Sequence, residues 1–407
     1  MFQQIGIFAL AKGKYYGNYS TYKDFPLSNL SQTMFRQLSS VCGRFQRVVI
    51  LAGGVVALTG AAAQVTEPTP VFGFVRTALQ GSKANSGVTF MGPSFVEQAV
   101  AEATLAAGSP PPFLLTATGV SWGANAFKTH PRASSHYVEI KDSANYSAVG
   151  LMSDIVSHTA TTLTIADDFS TMLRGGETLV IRPHKTLAGV FGAANEAGLG
   201  SGDAGTADVI SILAEGSSAS FTTYYYRAGA TLGGTGWRSS SNPFEDQAQT
   251  PLKTGQGLIV KRRRAEPLEL LLQGYVRRGL WRRTLPSGYS LVDPLAPITD
   301  QSFSAPAKGL PFTLGGVTGS GVIPSGLGAA LSPGTPQTAD LVSLAGTMAS
   351  FYNATAGGLS SGGWRLTSNP FADQATTVVP AASAILIQNR GEPKRWTRPQ
   401  PFVVSTP

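Results

Sequence analysis

Two stretches of this chain are nearly the same: TGWRSSSNPFEDQAQT from Thr235 and GGWRLTSNPFADQATT from Gly362. A motif this unusual, written twice, predicts two equivalent settings in the fold. The likeness runs further. ADVISIL at Ala207 answers ADLVSLA at Ala339, and GLIVKRR at Gly257 answers AILIQNR at Ala384. From Trp237 onward the offset holds at 127 residues. Upstream, GFVRTAL at Gly73 matches GYVRRGL at Gly274, and Gly92-Pro93 matches Asp293-Pro294, both at 201. Thr186-Leu187 then answers Thr313-Leu314 at 127 again. The difference of 74 residues marks an extra block in the first copy, between Leu105 and His184. The period is too long for a solenoid and predicts a duplicated domain.

Short stretches rich in β-branched and aromatic residues recur between Gly, Pro, Ser and Asn: FGFVRTAL, DVISIL, FTTYYYR, GLIVKRR. Several alternate apolar and polar residues, the pattern of half-buried antiparallel strands. The extra block does the same in HYVEIKDS, AVGLMSDIVSH, TTLTIADD and GETLVIRP. The 47 Gly and 26 Pro shorten the elements without a collagen period. One helix is expected in PSFVEQAVAEATLAAG from Pro93, with Ser94 as cap, Glu97 three residues on and Gly108 at the end. The expected class is all-β: two duplicated β-sandwich or barrel-like units, the first interrupted by a small inserted β-module. The expected boundaries are 64–117 with 185–267 for the first unit, 118–184 for the insert and 268–407 for the second unit.

Residues 1–63 read as an export leader. Arg36, Arg44 and Arg47 precede an apolar run of eleven residues, Val48 to Leu58, and Ala61-Ala62-Ala63 supplies a cleavage site. A membrane span needs about 20 residues, so cleavage after Ala63 is expected and no transmembrane anchor. The long stretch before this leader suggests that translation starts at Met34. Hydrophobic residues at 42% and charged residues at 13% exclude a disordered chain. The net charge of +8 is concentrated in the leader, and the rest holds 25 basic against 22 acidic residues. That balance does not predict nucleic-acid binding. Cys42 is the one cysteine, so an intrachain disulfide is excluded.

The repeated motif reads as a corner. Trp237 or Trp364 anchors it in the core, with Arg238 or Arg365 beside the ring. Asn-Pro forces a turn. Phe244 or Phe371 then re-enters the core, and Asp246 or Asp373 locks the next turn through backbone amides. A second reading makes Trp237 and Trp364, with Tyr224, Tyr225, Tyr226 and Tyr352, exposed platforms for sugar rings.

Other motifs fail on context. GSGDAG at Gly200 lacks the strand before and the helix after that a dinucleotide site requires. GLSSG around Ser360 lies in a Gly/Ser run, with no histidine after His184 to complete a hydrolase triad. His130, His136, His158 and His184 all lie in or beside the insert, near Asp142, Asp154, Asp167 and Asp168, without metal-ligand spacing. No metal and no cofactor is expected. The basic cluster Lys261 to Arg264, Arg277-Arg278 and Arg282-Arg283 reads as a solvated face, a contact for acidic polysaccharide, or a contact between the repeats.

The ordered set GFVRTAL, GETLVIRPHKTLAGVF, FTTYYYRAGATLGGTGWR and GLIVKRR, with the last two themes recurring, resembles an uncharacterised family of exported bacterial all-β repeat proteins with a Gly-Trp-Arg signature. The resemblance covers Val71 to Phe402 and implies export and fold, without an activity. The expected function is that of an exported, non-catalytic structural or binding protein of the cell surface, periplasm or extracellular matrix, recognising glycans. Expected partners are polysaccharide, other surface proteins or further copies of itself. The alternative is a secreted hydrolase using Asp154 or Asp168 with His136 or His158.

Overall fold

The computed structural model describes residues 70–83, 87–128, 130–131, 133–216, 220–229, 234–295, 330–344, 349–357, 360–375, 377 and 379–398. It also describes three short N-terminal strands, β1 (Ile5–Phe8), β2 (Leu10–Ala11) and β3 (Lys14–Tyr15). The apolar run Val48 to Leu58, the cleavage site, and Thr313 to Val317 lie outside the described residues.

Strands β4 (Phe72–Leu79) and β5 (Val88–Met91) open the first unit. The chain then leaves for the inserted module, β6 (Ala101–Leu105), β7 (Leu114–Thr118), β8 (His136–Asp142), β9 (Met152–His158), β10 (Thr162–Ile165) and β11 (Thr178–Pro183). It returns through β12 (Lys185–Thr186), α1 (Leu187–Phe191), β13 (Val209–Leu213), β14 (Phe221–Arg227), β15 (Gly236–Ser239), β16 (Pro251–Leu252), β17 (Leu258–Lys261) and β18 (Leu268–Tyr275). The second unit comprises β19 (Trp281–Leu285), β20 (Gly288–Val292), β21 (Leu341–Leu344), β22 (Ser350–Gly357), β23 (Ser360–Leu366), β24 (Ile385–Asn389) and β25 (Lys394–Arg398). The class is all-β.

Each unit is built on a five-stranded antiparallel sheet. One runs β15-β14-β13-β17-β5 and the other β23-β22-β21-β24-β20. Strands matched by sequence thus hold the same places in the two sheets. A two-stranded pair covers one face of each: β4 with β18 on the first, β19 with β25 on the second. β1 lies beside β4 as a third strand. β2 pairs with β3.

The first core gathers Val75, Leu79, Leu258, Val260, Leu270 and Trp237. The second gathers Val342, Ile385, Ile387, Trp364, Trp281 and Trp396, the last two edge-to-face at 5.0 Å. Between the sheets, Phe90, Leu213, Leu291 and Ala384 form a smaller apolar joint. Backbone bonds across this joint are reciprocal. Gly92 N–H donates to Ala382 O at 2.8 Å, and its counterpart Asp293 donates to Gly255 O at 2.9 Å. Ala384 N–H donates to Phe90 O at 3.3 Å, and Gly257 donates to Leu291 O at 2.8 Å.

The inserted module is a closed six-stranded barrel, β10-β7-β6-β11-β8-β9, filled by Leu105, Leu115, Val138, Ile140, Ile155, Leu163 and Leu179. It is larger than the four strands expected and begins at Ala101, so a boundary at 118 would cut through β7. The helix expected from Pro93 is absent. Ser94 has φ 55° and does not cap, and β6 occupies the middle of that stretch. Its burial alternates from Ala101 to Leu105, a period of two that the helix reading missed. The only helix among the described residues is α1, capped by the Thr186 side chain, which accepts from Gly189 N–H at 3.0 Å. None is long and apolar enough to cross a membrane.

Gly73 and Gly274, matched by sequence, are not counterparts in space. They face each other across the β4–β18 ladder. The spatial counterpart of β4 is β19, which pairs β25 as β4 pairs β18.

Candidate functional site

Both Trp corners are built alike and closed on themselves. The Arg238 guanidinium donates to Trp237 O at 2.9 Å, Thr235 O at 3.2 Å and Asp246 Oδ1 at 3.3 Å. Arg365 donates to Trp364 O at 2.8 Å, Gly362 O at 2.6 Å and Asp373 Oδ1 at 3.1 Å. Each Asp also accepts from the amide two residues on, Ala248 at 3.2 Å and Ala375 at 3.1 Å. Gln247 N–H and Gln374 N–H return to the carbonyls of Trp237 and Trp364, both at 2.9 Å. These bonds fold a loop over the outermost strand of each sheet and blunt an edge that would otherwise pair with another chain.

Trp237 and Trp364 are 0% and 3% exposed. Trp237 packs edge-to-face on Tyr226 and donates its indole N–H to Gly192 O at 2.8 Å. Tyr224, Tyr225, Tyr226 and Tyr352 are buried as well. Tyr224 and Tyr226 point into the first core, and Tyr225 lies on the opposite face of β14 under Ala207 and Val209. These six rings present no open face on which a sugar can stack, which corrects the platform reading. The Phe residues are corrected too: Phe244 and Phe371 are 65% and 77% exposed and do not re-enter the core.

The basic cluster is divided: Lys261, Arg263 and Arg264 are exposed, and its other members are buried or half-buried. Arg262, Arg277 and Arg282 are buried. Arg262 pairs with buried Asp208 at 3.2 Å. Arg277 reaches Glu139 of the barrel at 2.5 Å, and Arg282 donates to Tyr146 O at 2.8 Å. The last two contacts tie the barrel, inserted in the first unit, to the chain at and just before β19 of the second.

Acid–base side chains converge where the barrel meets β19, around a cleft of about 190 Å³. Asp154 of β9, His184 after β11, and Lys253-Thr254 after β16 line it, with Tyr137, Asp167, Glu215, Trp281 and Arg283. His184 Nδ1 accepts the Thr254 N–H at 3.0 Å, so the ring proton is on Nε2, which donates to Asp154 Oδ1 at 3.1 Å. Lys253 Nζ contacts the other Asp154 oxygen at 2.6 Å. Burial alone would push the Asp154 carboxyl up, but the His184 bond and the nearby Lys253 charge prevail and hold it at about 2. Arg283 is pulled down to about 10, chiefly by burial, against Asp154, Asp293 and Asp167. It pairs with Glu215.

The predicted hydrolase pairs do not form. Asp154 meets His184, not His136 or His158. Asp168 is exposed and caps its own turn through Ser170 N–H. His136 bonds Ser135, and burial lowers its pKa, with His184 and His158 adding to the effect. Lys253, Thr254 and Glu215 had no motif to mark them, and Arg283 was marked only as part of the basic cluster, because these residues come from three separate segments. No group of three metal-ligating side chains occurs among the described residues. A larger hollow of about 380 Å³ beside α1 has little chemistry, since its buried cation Lys185 is tied to Glu97 at 2.6 Å and Gln273 O at 3.0 Å.

No family model, curated protein or solved structure matches the chain.

Proposed function

We propose that this chain is an exported, non-catalytic protein of the cell surface, periplasm or extracellular matrix, in which a β-frame supports recognition of glycans. One observation carries the non-catalytic part. The best acid–base pair, Asp154 with His184, uses both ring nitrogens internally: Nε2–H on Asp154 and Nδ1 on the Thr254 amide. No lone pair is left to take a proton from a nucleophile or a substrate. Its physical role is to join the barrel to the loop after β16.

Residues 64–407 screened on a glycan array and against chromogenic glycosides and esters should show saturable binding without turnover. Turnover abolished by His184→Ala would overturn the reading. Export predicts a mature N-terminus at Gln64 in a secreting bacterial host, read by N-terminal sequencing. An intact N-terminus in the cytoplasmic fraction would reject it.

A further inference from the structure

We propose that the cleft between the barrel and β19 binds one neutral sugar residue, an inference that rests on the glycan reading above and supplies the site that the buried tyrosines and tryptophans do not. Tyr137 lines the cleft, is 1% exposed, and its hydroxyl has no hydrogen-bond partner. Thr254 is close enough to moderate the upward, burial-driven shift of that phenol, yet no bond of normal geometry forms. A buried hydroxyl left unpaired is unfavourable, and in native proteins it calls for a partner.

The polar groups beside it are mixed. Lys253 places one of its three N–H groups on Asp154 and is otherwise half exposed. Asp167 receives Ser153 Oγ on Oδ2 at 2.8 Å, and no partner is described for its other oxygen. Three acids, Asp154, Asp167 and Glu215, face three cations, Lys253, Arg282 and Arg283, so the lining has little net sign. That disfavours phosphate and other strong anions. Sugar hydroxyls each donate and accept, which suits a lining with both capacities side by side. Trp281 adds an apolar wall. Drug-sized ligands occupy roughly 300–1,000 Å³. At about 190 Å³ the cleft suits a single ring.

The test is calorimetric titration of residues 64–407 with glucose, galactose, mannose and N-acetylglucosamine, with inorganic phosphate as the anionic control. At least one neutral sugar should saturate in the millimolar range, and phosphate should not. Tyr137→Phe and Asp167→Asn should each weaken binding about tenfold or more. Tyr137→Phe removes an unpaired hydroxyl, so its thermal midpoint should hold or rise. Asp167→Asn, nearer the surface, gives a second variant independent of the barrel core. Absence of saturation by all four sugars, preference for phosphate, or unchanged affinity in both variants would overturn the proposal. An array hit on a longer glycan that ignores both variants would retain glycan recognition and remove this cleft from it. A silent array would remove both.

Discussion

Trp237 and Phe244 stand seven residues apart in one motif and have opposite surroundings. The indole is enclosed by Phe191 and Tyr226 and bonded to Gly192 O. Trp237→Ala should cost about 3–5 kcal/mol in urea unfolding, as large-to-small core changes do, and Phe244→Ser should stay within about 0.5 kcal/mol. Equal losses would mean that the ring at 244 packs after all. The anchoring Trp, the Arg beside it and the Asp turn-lock were legible in the sequence because short-range hydrogen bonds make them. The direction of the Phe was not, since Asn-Pro fixes a turn without fixing which way the next side chain leaves it. Asp293 shows a second limit of sequence reading. It is fully buried, with Ser94 N–H on Oδ2 at 2.6 Å and Leu295 N–H on Oδ1 at 2.8 Å. Burial pushes its carboxyl up to about 6 in spite of these donors and Arg398. A folded pKa above the unfolded value of about 3.9 gives stability that is complete below pH 4 and lost as pH rises through 6. The span of roughly two pH units corresponds to about 3 kcal/mol. Asp154, held low, works in the opposite sense near pH 2 to 4, and His136, lowered by burial, works in the opposite sense inside this window but equally in parent and variant, so the comparison of the two isolates Asp293. Unfolding free energy measured from pH 4 to 7 should therefore fall by roughly 2 kcal/mol more in the parent than in Asp293→Asn. Parallel profiles would refute the assignment.

At the scale of elements, alternation identified most strands, and a false capping signal produced the one wrong helix. Ser94 and Glu97 have capping-box spacing, but Phe95 is buried in the first core, Val96 in the second, and Ser94 lies in the left-handed region. Tertiary contacts overrode the local signal. The barrel was legible as strands but not as six of them, because closure depends on β6 pairing β11, partners in sequence-distant segments. Its joint to the rest of the chain lies in the basic cluster, for which a solvated face, a polysaccharide contact and a contact between the repeats were all open; Arg277 makes an internal contact, to the barrel. Arg277 and Glu139 are both buried, so removing one partner leaves the other charged in a low-dielectric setting. Arg277→Met should cost about 3–5 kcal/mol. Adding Glu139→Met to it should recover more than half of that loss, because the two changes act on one pair. Additive losses in denaturant titration would show that each side chain acts through other contacts. Arg182, 3.6 Å from Glu139, sets an upper limit on the recovery.

At the scale of the molecule, residues at the joint between the two sheets touch the residues that the sequence offsets pair with them. Gly92 faces Asp293, and Gly257 faces Ala384. A Cβ at Gly92 would lie 2.4 Å from Asp293 Oδ1, and a Cβ at Gly257 would lie 2.4 Å from that of Ala384. There is room for one side chain at each place, which accounts for departures from the repeat that the sequence displayed without a reason. The single carboxylate at this place serves both units. Ser94 and Leu295, counterparts with φ 55° and 51°, both donate their amides to Asp293. A left-handed residue other than Gly costs about 1–2 kcal/mol, and the shared acceptor offsets part of that on each side. The geometry predicts that the carboxylate works from either position. Gly92→Asp alone should be strongly destabilising, because two carboxyl groups then occupy one buried space. Asp293→Gly alone should cost about 2–3 kcal/mol by leaving two buried amides unpaired. The exchange Gly92→Asp with Asp293→Gly should restore stability to within about 1 kcal/mol of the parent, far from the sum of the single losses. Chemical denaturation of the three variants at one pH reads this directly. If the exchanged chain is no more stable than Gly92→Asp alone, the two sides of the joint are not interchangeable, and their reciprocity stops at the backbone.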